Sequence, residues 1–417
     1  MKILVVGKGG REHALIKTLK ASPSTPEIYA FPGSDAIFEL AEPTTATDLS
    51  SLISWMKGNE IDLCVAGEES YLVQGEGLAN LCAENDIPCW GPNRHAAQLE
   101  ASKNFAKEFM FRHDIPTGTS QLVHSYDQGI TAIDGKYPTV LKFDGLAAGK
   151  GVAVCPDAES ASAFLSEVFE ERRFGEGSLL VEEFLQGPEV SIFAAVSGPE
   201  SFIFTPARDY KLIGEGDTGS NTGGMGAVAG RQILEPELME RIQEEIIDRT
   251  IQGMEKDGFG YKGFLYFGLM LTEDGPKIIE YNCRFGDPEC QAVMPLVSGD
   301  FAQFCLSGAE GKLDSSVLEF SDQWSVCVIL ASHGYPASSR SGDVISGLGD
   351  LSDSAQLFHA GTKRNAEGEF ETNGGRVLAI VSQGDSREEA VEKAHAETDK
   401  VTFDGAQRRR DIGILNF

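Results

Sequence analysis

KFDGLAAGKGV, residues 142–152, is the stretch that decides which nucleotide-binding fold this chain can have. A P-loop consists of a glycine, four residues, a second glycine, a lysine and then a serine or threonine. Here Gly149 follows Gly145 one residue too early, and Gly151 stands where the magnesium-binding hydroxyl would be. The sequence therefore predicts that any nucleotide is bound by a fold other than the P-loop.

The glycine-rich stretch joins two segments with the pattern of antiparallel strands, residues 137–144 and 149–155. A flexible loop of this kind can close over a polyphosphate and exclude water. Lys142 and Lys150 flank the loop and are able to neutralise phosphate charge from two sides. A hairpin tip with solvated lysines is the alternative interpretation.

The first hundred residues alternate short apolar segments with helical patterns. Because buried parallel strands contain continuous apolar runs and are connected by helices, this alternation predicts a doubly wound parallel sheet. Strands are predicted at residues 2–6, 27–31, 61–66 and 87–90, and helices at 11–21, 47–58, 75–86 and, after the sheet, 95–114.

The rest of the chain has a mixed pattern typical of α+β structure. Hairpin-like strands between about 120 and 190 surround a predicted helix at 158–173, a second helix is predicted at 236–258, and residues 263–272 and 276–283 predict a hairpin. We therefore expect an α/β and α+β multidomain protein. The expected domains are 1–101, 102–320 with a small subdomain at about 120–190, and a small α+β domain at 321–417.

Composition excludes several classes of partner. The 417 residues include 35 basic and 64 acidic residues, which gives a formal charge of −29. Such a surface repels nucleic acid and anionic membranes, so neither is expected as a partner, and an anionic ligand needs a local basic pocket. The eight cysteines contain no CxxC pair and the seven histidines no metal-binding spacing, so no zinc site or disulfide framework is predicted. No apolar run has the length of a signal peptide or a membrane span, and we expect a cytoplasmic protein.

VVGKGGREHAL, residues 5–15, places Gly7, Gly9 and Gly10 at a strand-to-helix turn. The dinucleotide fingerprint is incomplete, because Glu12 stands where its third glycine would be. Backbone N–H groups at the start of the helix can still bind one phosphate. A tight turn with close packing is the alternative interpretation.

LLVEEFLQGPEVS, residues 179–191, places Glu182, Glu183 and Glu189 at the end of a strand and in the loop that follows. A backbone edge here can pair with a purine amino group, and a nearby carboxylate can accept hydrogen bonds from ribose hydroxyls. A solvated acidic turn is the alternative interpretation.

IIEYNCRFGDPE, residues 278–289, is the most informative stretch for chemistry. Side chains alternate along a strand, so Glu280 and Asn282 are predicted to share a face, and carboxylate and amide oxygens suit Mg²⁺. Arg284 lies on the same face if the strand continues, where it can stabilise charge on a phosphoryl group. A structural ion pair between Glu280 and Arg284 is the alternative. No nucleophile with an activating base is evident, which favours activation by ATP.

Taken in order, these segments closely resemble the phosphoribosylamine–glycine ligases (glycinamide ribonucleotide synthetases), an ATP-grasp family of purine biosynthesis. The resemblance covers the chain essentially from end to end. The motifs that carry it are GKGGREHAL, GPNRHAAQLEASKNF, DGLAAGKGV, VEEFLQGPEVS, GDTGSNTGGMGA, GFLYFGLM, EYNCRFGDPECQ, FHAGTK and TNGGRVL.

The resemblance implies an N-terminal pre-ATP-grasp substrate domain, an ATP-grasp unit of two subdomains and a C-terminal domain. It implies that ATP, with Mg²⁺ or Mn²⁺, phosphorylates the carboxylate of glycine, and that the amine of 5-phosphoribosylamine attacks the resulting acyl phosphate. The products are ADP, phosphate and glycinamide ribonucleotide. We expect a monomer.

The resemblance also assigns roles to residues of this chain. Arg284 and Lys150 are expected to be catalytic, and Glu280 and Asn282 to bind the metal ion. The residues expected to contact ATP are Lys103, Lys142, Lys150, Glu182, Glu183, Phe184 and Glu189. The residues expected to contact the other substrates are Gly9, Gly33, Asp209, Asp217, Asn221, Thr222, Arg284, Asp287 and Arg376.

Several positions depart from the family pattern, namely Asp35, Glu68, Tyr71, Phe143 and Tyr210. Added carboxylates in the N-terminal loops disfavour a phosphate there, because like charges repel. An ATP-grasp ligase with another amine acceptor is therefore one alternative. A non-catalytic nucleotide-binding relative is another, and the intact Glu280, Asn282 and Arg284 argue against it.

Overall fold

The computed structural model describes residues 1–24, 27–145 and 151–414. Residues 146–150, which include Lys150 and most of the predicted glycine loop, lie outside the described residues. Within the described chain, none of the helices combines the length and the apolar character that a membrane crossing requires.

The N-terminal sheet has five parallel strands in the order β3-β2-β1-β4-β5. The strands are β1 (Lys2–Gly7), β2 (Glu27–Pro32), β3 (Glu42–Pro43), β4 (Leu63–Ala66) and β5 (Cys89–Trp90). The helices are α1 (Gly10–Lys20), α2 (Leu49–Gly58), α3 (Ser70–Val73) and α4 (Leu78–Ala83).

Both faces of this sheet are buried, as the continuous apolar runs predict. Along β1, Leu4 and Val6 belong to one hydrophobic cluster together with α2 and α4, whereas Ile3 and Val5 belong to a second cluster together with α1. The helices therefore cover opposite faces, and the prediction of a doubly wound parallel sheet is confirmed.

The prediction of a single helix at residues 95–114 is wrong. The structure has two helices, α5 (Gln98–Ala101) and α6 (Lys103–Arg112), separated by Ser102 in an extended conformation. The Ser102 hydroxyl accepts a hydrogen bond from Phe105 N at 3.1 Å and therefore caps α6. The apolar periodicity continues across the break, which is why the pattern did not reveal it.

The small sheet lies in the segment predicted as the small subdomain and has the order β6-β9-β7-β8. Its elements are β6 (Ser120–Val123), α7 (Tyr126–Ile133), β7 (Thr139–Phe143), β8 (Val152–Cys155), α8 (Ala158–Phe169) and β9 (Leu179–Glu183). Phe143 is buried in the separate core of this unit, with its ring centroid 5.4 Å from that of Phe174. A Cβ on Gly177 would lie 2.7 Å from the Phe143 ring, so the missing side chain makes room for the phenyl group.

The large sheet has nine strands, in the order β17-β16-β10-β12-β15-β20-β24-β21, with β11 paired to β10. Its strands are β10 (Glu189–Ser197), β11 (Glu200–Ile203), β12 (Ala207–Asp209), β15 (Gly226–Ala229), β16 (Lys262–Thr272), β17 (Gly275–Asn282), β20 (Trp324–Ala331), β21 (Gln356–His359) and β24 (Arg376–Gly384). Because β15 pairs with β20, the sheet is continuous across residue 320. The domain boundaries stay a prediction.

The remaining elements surround the large sheet. Three short strand pairs are β13 (Leu212–Gly214) with β14 (Thr218–Asn221), β18 (Val297–Gly299) with β19 (Leu318–Phe320), and β22 (Thr362–Arg364) with β23 (Phe370–Thr372). The helices are α9 (Pro236–Ile242), α10 (Asp248–Lys256), α11 (Glu289–Val293), α12 (Phe301–Ala309) and α13 (Arg387–Thr398). A π-helical segment, Gln243–Ile247, joins α9 to α10, so the helix predicted at 236–258 is present with an altered hydrogen-bond pattern.

Trp90 packs the N-terminal sheet against the large sheet. Its side chain is fully buried, and its ring lies edge-on to Phe264 and Phe304 with centroid distances of 5.4 and 6.3 Å. Gly308 of α12 faces the indole, and a Cβ at this glycine would lie 2.3 Å from Trp90. This contact therefore requires a residue without a side chain.

We expect Gly308→Ala to lower the free energy of unfolding by about 1–3 kcal/mol, because the added methyl group overpacks the Trp90 site. Gly58→Ala is the matched control, since Gly58 is also helical and a Cβ there would meet nothing within 4 Å. In that variant, the better helix propensity of alanine raises stability by up to about 1 kcal/mol. Calorimetry of thermal unfolding should show a lower midpoint temperature for Gly308→Ala and an unchanged or higher one for Gly58→Ala. Equal changes of the midpoint in the two variants would contradict the packing argument.

Candidate functional site

Strand β17 carries the predicted metal ligands. Glu280 pairs with Gly268 of β16, and the register shifts by one residue immediately beyond this pair. Gly268 leaves room for the carboxylate, because a Cβ there would lie 3.1 Å from Glu280 Cγ. Asn282 is the last residue of β17, two positions further along the strand, so the two side chains share a face as predicted.

Glu100 holds the end of this strand, although sequence analysis did not identify it. The hydrogen-bonding pattern assigns the Asn282 amide so that its nitrogen donates to Glu100 Oε1 at 2.9 Å. Cys283 N donates to Glu100 Oε2 at 2.6 Å, and an Arg284 guanidinium nitrogen lies 2.7 Å from Glu100 Oε1. One buried carboxylate therefore fixes three consecutive residues. Burial raises the pKa of Glu100 to about 7, while Arg284 opposes the increase.

Arg284 lies just after β17 and is bound on two sides. Besides Glu100, its Nε donates to Glu69 Oε2 at 3.1 Å, so the ion pair with Glu280 considered from the sequence is replaced by two others. Burial alone would raise the pKa of Glu69, but the Arg284 and Arg11 guanidinium groups lower it to about 2. Both carboxylates thus hold the arginine side chain in a defined orientation.

The same contacts extend into the N-terminal helix. Glu69 Oε2 also lies 3.5 Å from an Arg11 guanidinium nitrogen, and Arg11 Nε donates to Glu12 Oε1 at 2.7 Å. We call this series of alternating charges the charge chain; its members are Glu12, Arg11, Glu69, Arg284 and Glu100. The charge chain connects α1 with the residues that follow β17.

Four acidic side chains form a carboxylate cluster around Lys211: Glu189, Asp209, Glu280 and Glu289. The Lys211 ammonium group donates to Glu189. Burial raises the pKa of Asp209 to about 7, and the neighbouring carboxylates add to this effect while Lys211 opposes it. Burial likewise raises the pKa of Glu289. The four carboxyl groups of the cluster therefore outnumber the single ammonium group of Lys211.

Two lysines converge on Glu182 at the base of the small sheet. Lys142 Nζ lies 3.0 Å and Lys107 Nζ 3.1 Å from Glu182 Oε2, and Lys142 also donates to Ile279 O of β17 at 3.1 Å. Lys142 therefore joins the small sheet to the strand that carries Glu280. Lys107 was not predicted, although its position four residues after Lys103 places both on one face of α6.

Lys103 belongs to the same region. Its ammonium group donates to Gly145 O at 2.9 Å, next to the residues that lie outside the described chain. Burial lowers the pKa of Lys103, whereas Glu280 opposes this change. The lysine is thus placed between the glycine-rich stretch and the predicted metal ligands.

The backbone edge expected at Glu182 and Glu183 is not free. Strand β9 is an inner strand, because Glu182 pairs with both Ser120 and Val140, and Glu183 N donates to Thr119 O. The Glu183 carboxylate accepts from Thr119 N at 3.0 Å. Phe184 is the first residue beyond the strand, and its side chain is 37% exposed.

A cavity of about 440 Å³ brings together four predicted substrate residues: Gly9, Gly33, Asp287 and Arg376. Lys8 and Lys363 also line it and supply cationic side chains that sequence analysis did not single out. Arg376 donates to Gly223 O and Asp287 O, both at 2.6 Å, and so connects the cavity wall to the loop before β15. Asp35 lines the cavity as well, and its carboxylate accepts from Arg364 N at 2.7 Å.

The Gly9 amide does not point to a free phosphate site. It donates to Glu12 Oε2 at 2.7 Å, so the carboxylate that replaces the third fingerprint glycine occupies one of the N–H groups at the start of α1. A Cβ on Gly7 or Gly67 would lie 2.4 or 2.5 Å from Glu12 Cγ, so both glycines make room for this side chain. Gly9 contributes to the cavity through its missing side chain.

The glycine-rich loop around β13 and β14 lies apart from the cavity lining. Asp217 accepts from Arg409 Nη1 at 2.8 Å, and Asn221 is exposed at the end of β14. The Thr222 hydroxyl donates to Lys211 O at 2.7 Å, which places this residue beside the carboxylate cluster. Asp209 belongs to that cluster rather than to the cavity. The predicted substrate residues are thus divided between two neighbouring regions.

The arrangement combines three chemical elements along the end of β17 and the residues that follow it. Glu280 and Asn282 provide hard oxygen ligands, Arg284 is a rigidly held cation, and Asp287 reaches the cavity only five positions after Asn282. Buried lysines stand on the opposite side, at the small sheet. Such a site can bind a metal-associated polyphosphate next to a second ligand.

Three family models match consecutive parts of the chain. Residues 1–100 match the N domain of phosphoribosylglycinamide synthetase, residues 101–290 its ATP-grasp (A) domain, and residues 325–414 its C domain. These matches confirm the three-part α/β and α+β architecture expected from the sequence.

Individual proteins agree with the family models. A phosphoribosylamine–glycine ligase of Caldanaerobacter subterraneus is 41% identical, with 99% of each chain covered. The trifunctional purine biosynthetic protein adenosine-3 of Drosophila melanogaster is also 41% identical over the whole of this chain, which spans 32% of the fly protein. The crystal structure of a Thermotoga maritima phosphoribosylamine–glycine ligase superposes with a TM-score of 0.85 at 32% identity, covering 99% of this chain and all of the other. The chain belongs to the phosphoribosylglycinamide synthetase family.

Proposed function

We propose that this chain is an ATP-dependent carbon–nitrogen ligase that joins glycine to 5-phosphoribosylamine in purine biosynthesis. The observation that carries this proposal is the short segment from Asn282 to Asp287, which runs from the metal-binding face of β17 to the wall of the cavity. A carboxylate activated beside β17 would therefore lie next to an amine held in the cavity. The phosphoribosylamine–glycine ligases to which this chain is similar support the same reaction.

On the nucleotide side, we assign three lysines to the phosphates of ATP, and the acidic end of β9 to its adenosine part. Lys103, Lys142 and Lys150 neutralise the polyphosphate, although Lys150 lies outside the described residues. Glu182, Glu183 and Phe184 border the adenine, with Phe184 as the first residue beyond β9, and Glu189 accepts from the ribose. Glu280 and Asn282 hold Mg²⁺ or Mn²⁺, which supplies charge neutralisation for phosphoryl transfer.

The reaction has two steps. In the first, a carboxylate oxygen of glycine attacks the γ-phosphorus of ATP, the bond to ADP breaks and glycyl phosphate forms. In the second, the amine of 5-phosphoribosylamine attacks the carbonyl carbon, phosphate leaves with the bonding electrons and the nitrogen loses a proton. Arg284, fixed by Glu69 and Glu100, orients the acyl phosphate and stabilises its developing charge together with Lys150.

We assign the acceptor to the cavity. Lys8, Lys363 and Arg376 provide positive charge for its phosphate, and Gly9 and Gly33 line the same cavity. Asp287 faces the same space. Asp209, Asp217, Asn221 and Thr222 lie on the side of the carboxylate cluster and the glycine-rich loop, where we place glycine.

We further propose that the protein acts in the cytoplasm as a monomer, without nucleic acid or a membrane as partner. The net charge of −29 opposes association with polyanions. All eight cysteines are free and buried thiols, which suits a reducing compartment.

The overall assignment is tested by phosphate release from ATP with glycine, in the presence and absence of freshly prepared 5-phosphoribosylamine and of a panel of other amines. We expect rapid turnover only when glycine and 5-phosphoribosylamine are both present, and mass spectrometry should identify glycinamide ribonucleotide. Turnover with another amine but not with 5-phosphoribosylamine would assign a different acceptor.

We expect Glu280→Ala to lower kcat by at least 100-fold, because the metal ion loses its carboxylate ligand beside the transferred phosphoryl group. Magnesium-dependent ATP binding, measured by calorimetry, should weaken while the thermal midpoint changes little. Glu273→Ala is the matched control, since Glu273 is exposed on the turn of the same hairpin. Near-normal activity of Glu280→Ala would refute the metal assignment.

We expect Glu100→Gln to lower kcat by about 10- to 100-fold, because Arg284 and the end of β17 lose their fixed partner and shift from the productive geometry. The effects of Glu100→Gln and Arg284→Ala should not add in a double-mutant cycle, since both remove the same contact. Glu108→Gln, an exposed position on α6, is the control. Full additivity would show that Glu100 does not act through Arg284.

A further inference from the structure

Three cysteines that are distant in sequence meet inside the N-terminal sheet. The Sγ atoms of Cys64, Cys82 and Cys89 all lie within 4.8 Å of one another. Cys64 and Cys89 are paired residues on the adjacent parallel strands β4 and β5, so their side chains point to the same face, and Cys82 comes from α4. We call these three residues the thiol cluster. The C-x17-C-x6-C spacing matches no metal motif, which is why sequence analysis did not identify it.

The geometry of the thiol cluster is close to that of a metal site. A metal–thiolate bond is about 2.3 Å long, so three sulfur atoms around one ion lie roughly 4 Å apart. The observed separations therefore require only a small contraction. Cys64 and Cys82 are fully buried and Cys89 is 9% exposed, so solvent does not compete with an ion for the sulfur atoms.

The local charge favours a divalent ion. Three thiolates and one divalent cation leave a single negative charge, and the ammonium group of Lys262 is near enough to Cys89 to offset part of it. Soft sulfur donors select zinc-like d10 ions over Mg²⁺.

We propose that the thiol cluster is a second metal site, distinct from the nucleotide-associated one, which binds one soft divalent d10 ion through three thiolates. Binding releases three protons and changes no oxidation state: three thiols and one divalent ion give a tris-thiolate complex. The bound ion joins β4, β5 and α4. Since β4 leads directly to Glu69, the ion stabilises the strand that precedes a member of the charge chain.

The site is tested with Cd²⁺, whose bonds to thiolates produce a charge-transfer band in the ultraviolet. The reduced full-length protein, treated with EDTA and free of nucleotide, is equilibrated with chelator-buffered Cd²⁺. We expect one ion per chain with this band, about three protons released and a higher thermal midpoint of unfolding. Absence of the band at saturation would overturn the proposal and leave the cluster as core packing.

Variants distinguish this site from other cysteines and from the carboxylates. Cys82→Ser should weaken Cd²⁺ binding by about 100-fold or more, because it removes a direct ligand. Cys305→Ser is the matched control, since Cys305 is also fully buried but lies in α12, outside the cluster. Glu280→Ala should retain the band. Binding that survives Cys82→Ser, or that is lost in Glu280→Ala, would overturn the proposal.

Discussion

The contact on which the site depends is the one between the Glu100 carboxylate and residues 282–284, which are the last residue of β17 and the two that follow it. A buried carboxylate is costly unless it is paired and hydrogen bonded, and Glu100 meets this condition through Asn282, Cys283 and Arg284. The same contact gives Arg284 one of its two orienting partners, and Glu69 gives the other. Through Arg11 and Glu12 the charge chain reaches the start of α1, so the position of Arg284 is coupled to the N-terminal sheet.

Sequence patterns were sufficient where a property is local. Apolar runs predicted the parallel strands, because a strand buried on both faces has little choice of residue, and alternation along β17 correctly placed Glu280 and Asn282 on one face. Long-range partners were not predictable in this way. Folding brings Glu69 and Glu100 to Arg284 and brings Lys107 to Glu182, whereas in sequence each is an ordinary charged residue. Ser102 was missed because a cap inside a continuous helical pattern leaves the periodicity unchanged.

The departures from the family pattern have different structural consequences. Phe143 packs into the core of the small sheet, and the Tyr210 hydroxyl accepts from Gly413 N at 3.0 Å, so both are accommodated by packing. Glu68 accepts from the Ser70 hydroxyl, and Tyr71 stacks edge-on against Phe31. Among these five positions, Asp35 is the one that lines the cavity, and its charge is partly satisfied by the Arg364 amide. Of these departures, Asp35 therefore brings a carboxylate to the cavity wall.

The continuity of the large sheet across residue 320 limits how this chain can be divided. Separation between β15 and β20 would expose two strand edges with unpaired N–H and C=O groups, which are templates for association with other chains. The C-terminal strands are therefore not a transplantable module, and two fragments cut at this point would need each other to stay in solution. Recombination that exchanges whole folding units would have to move residues from both sides of the boundary together.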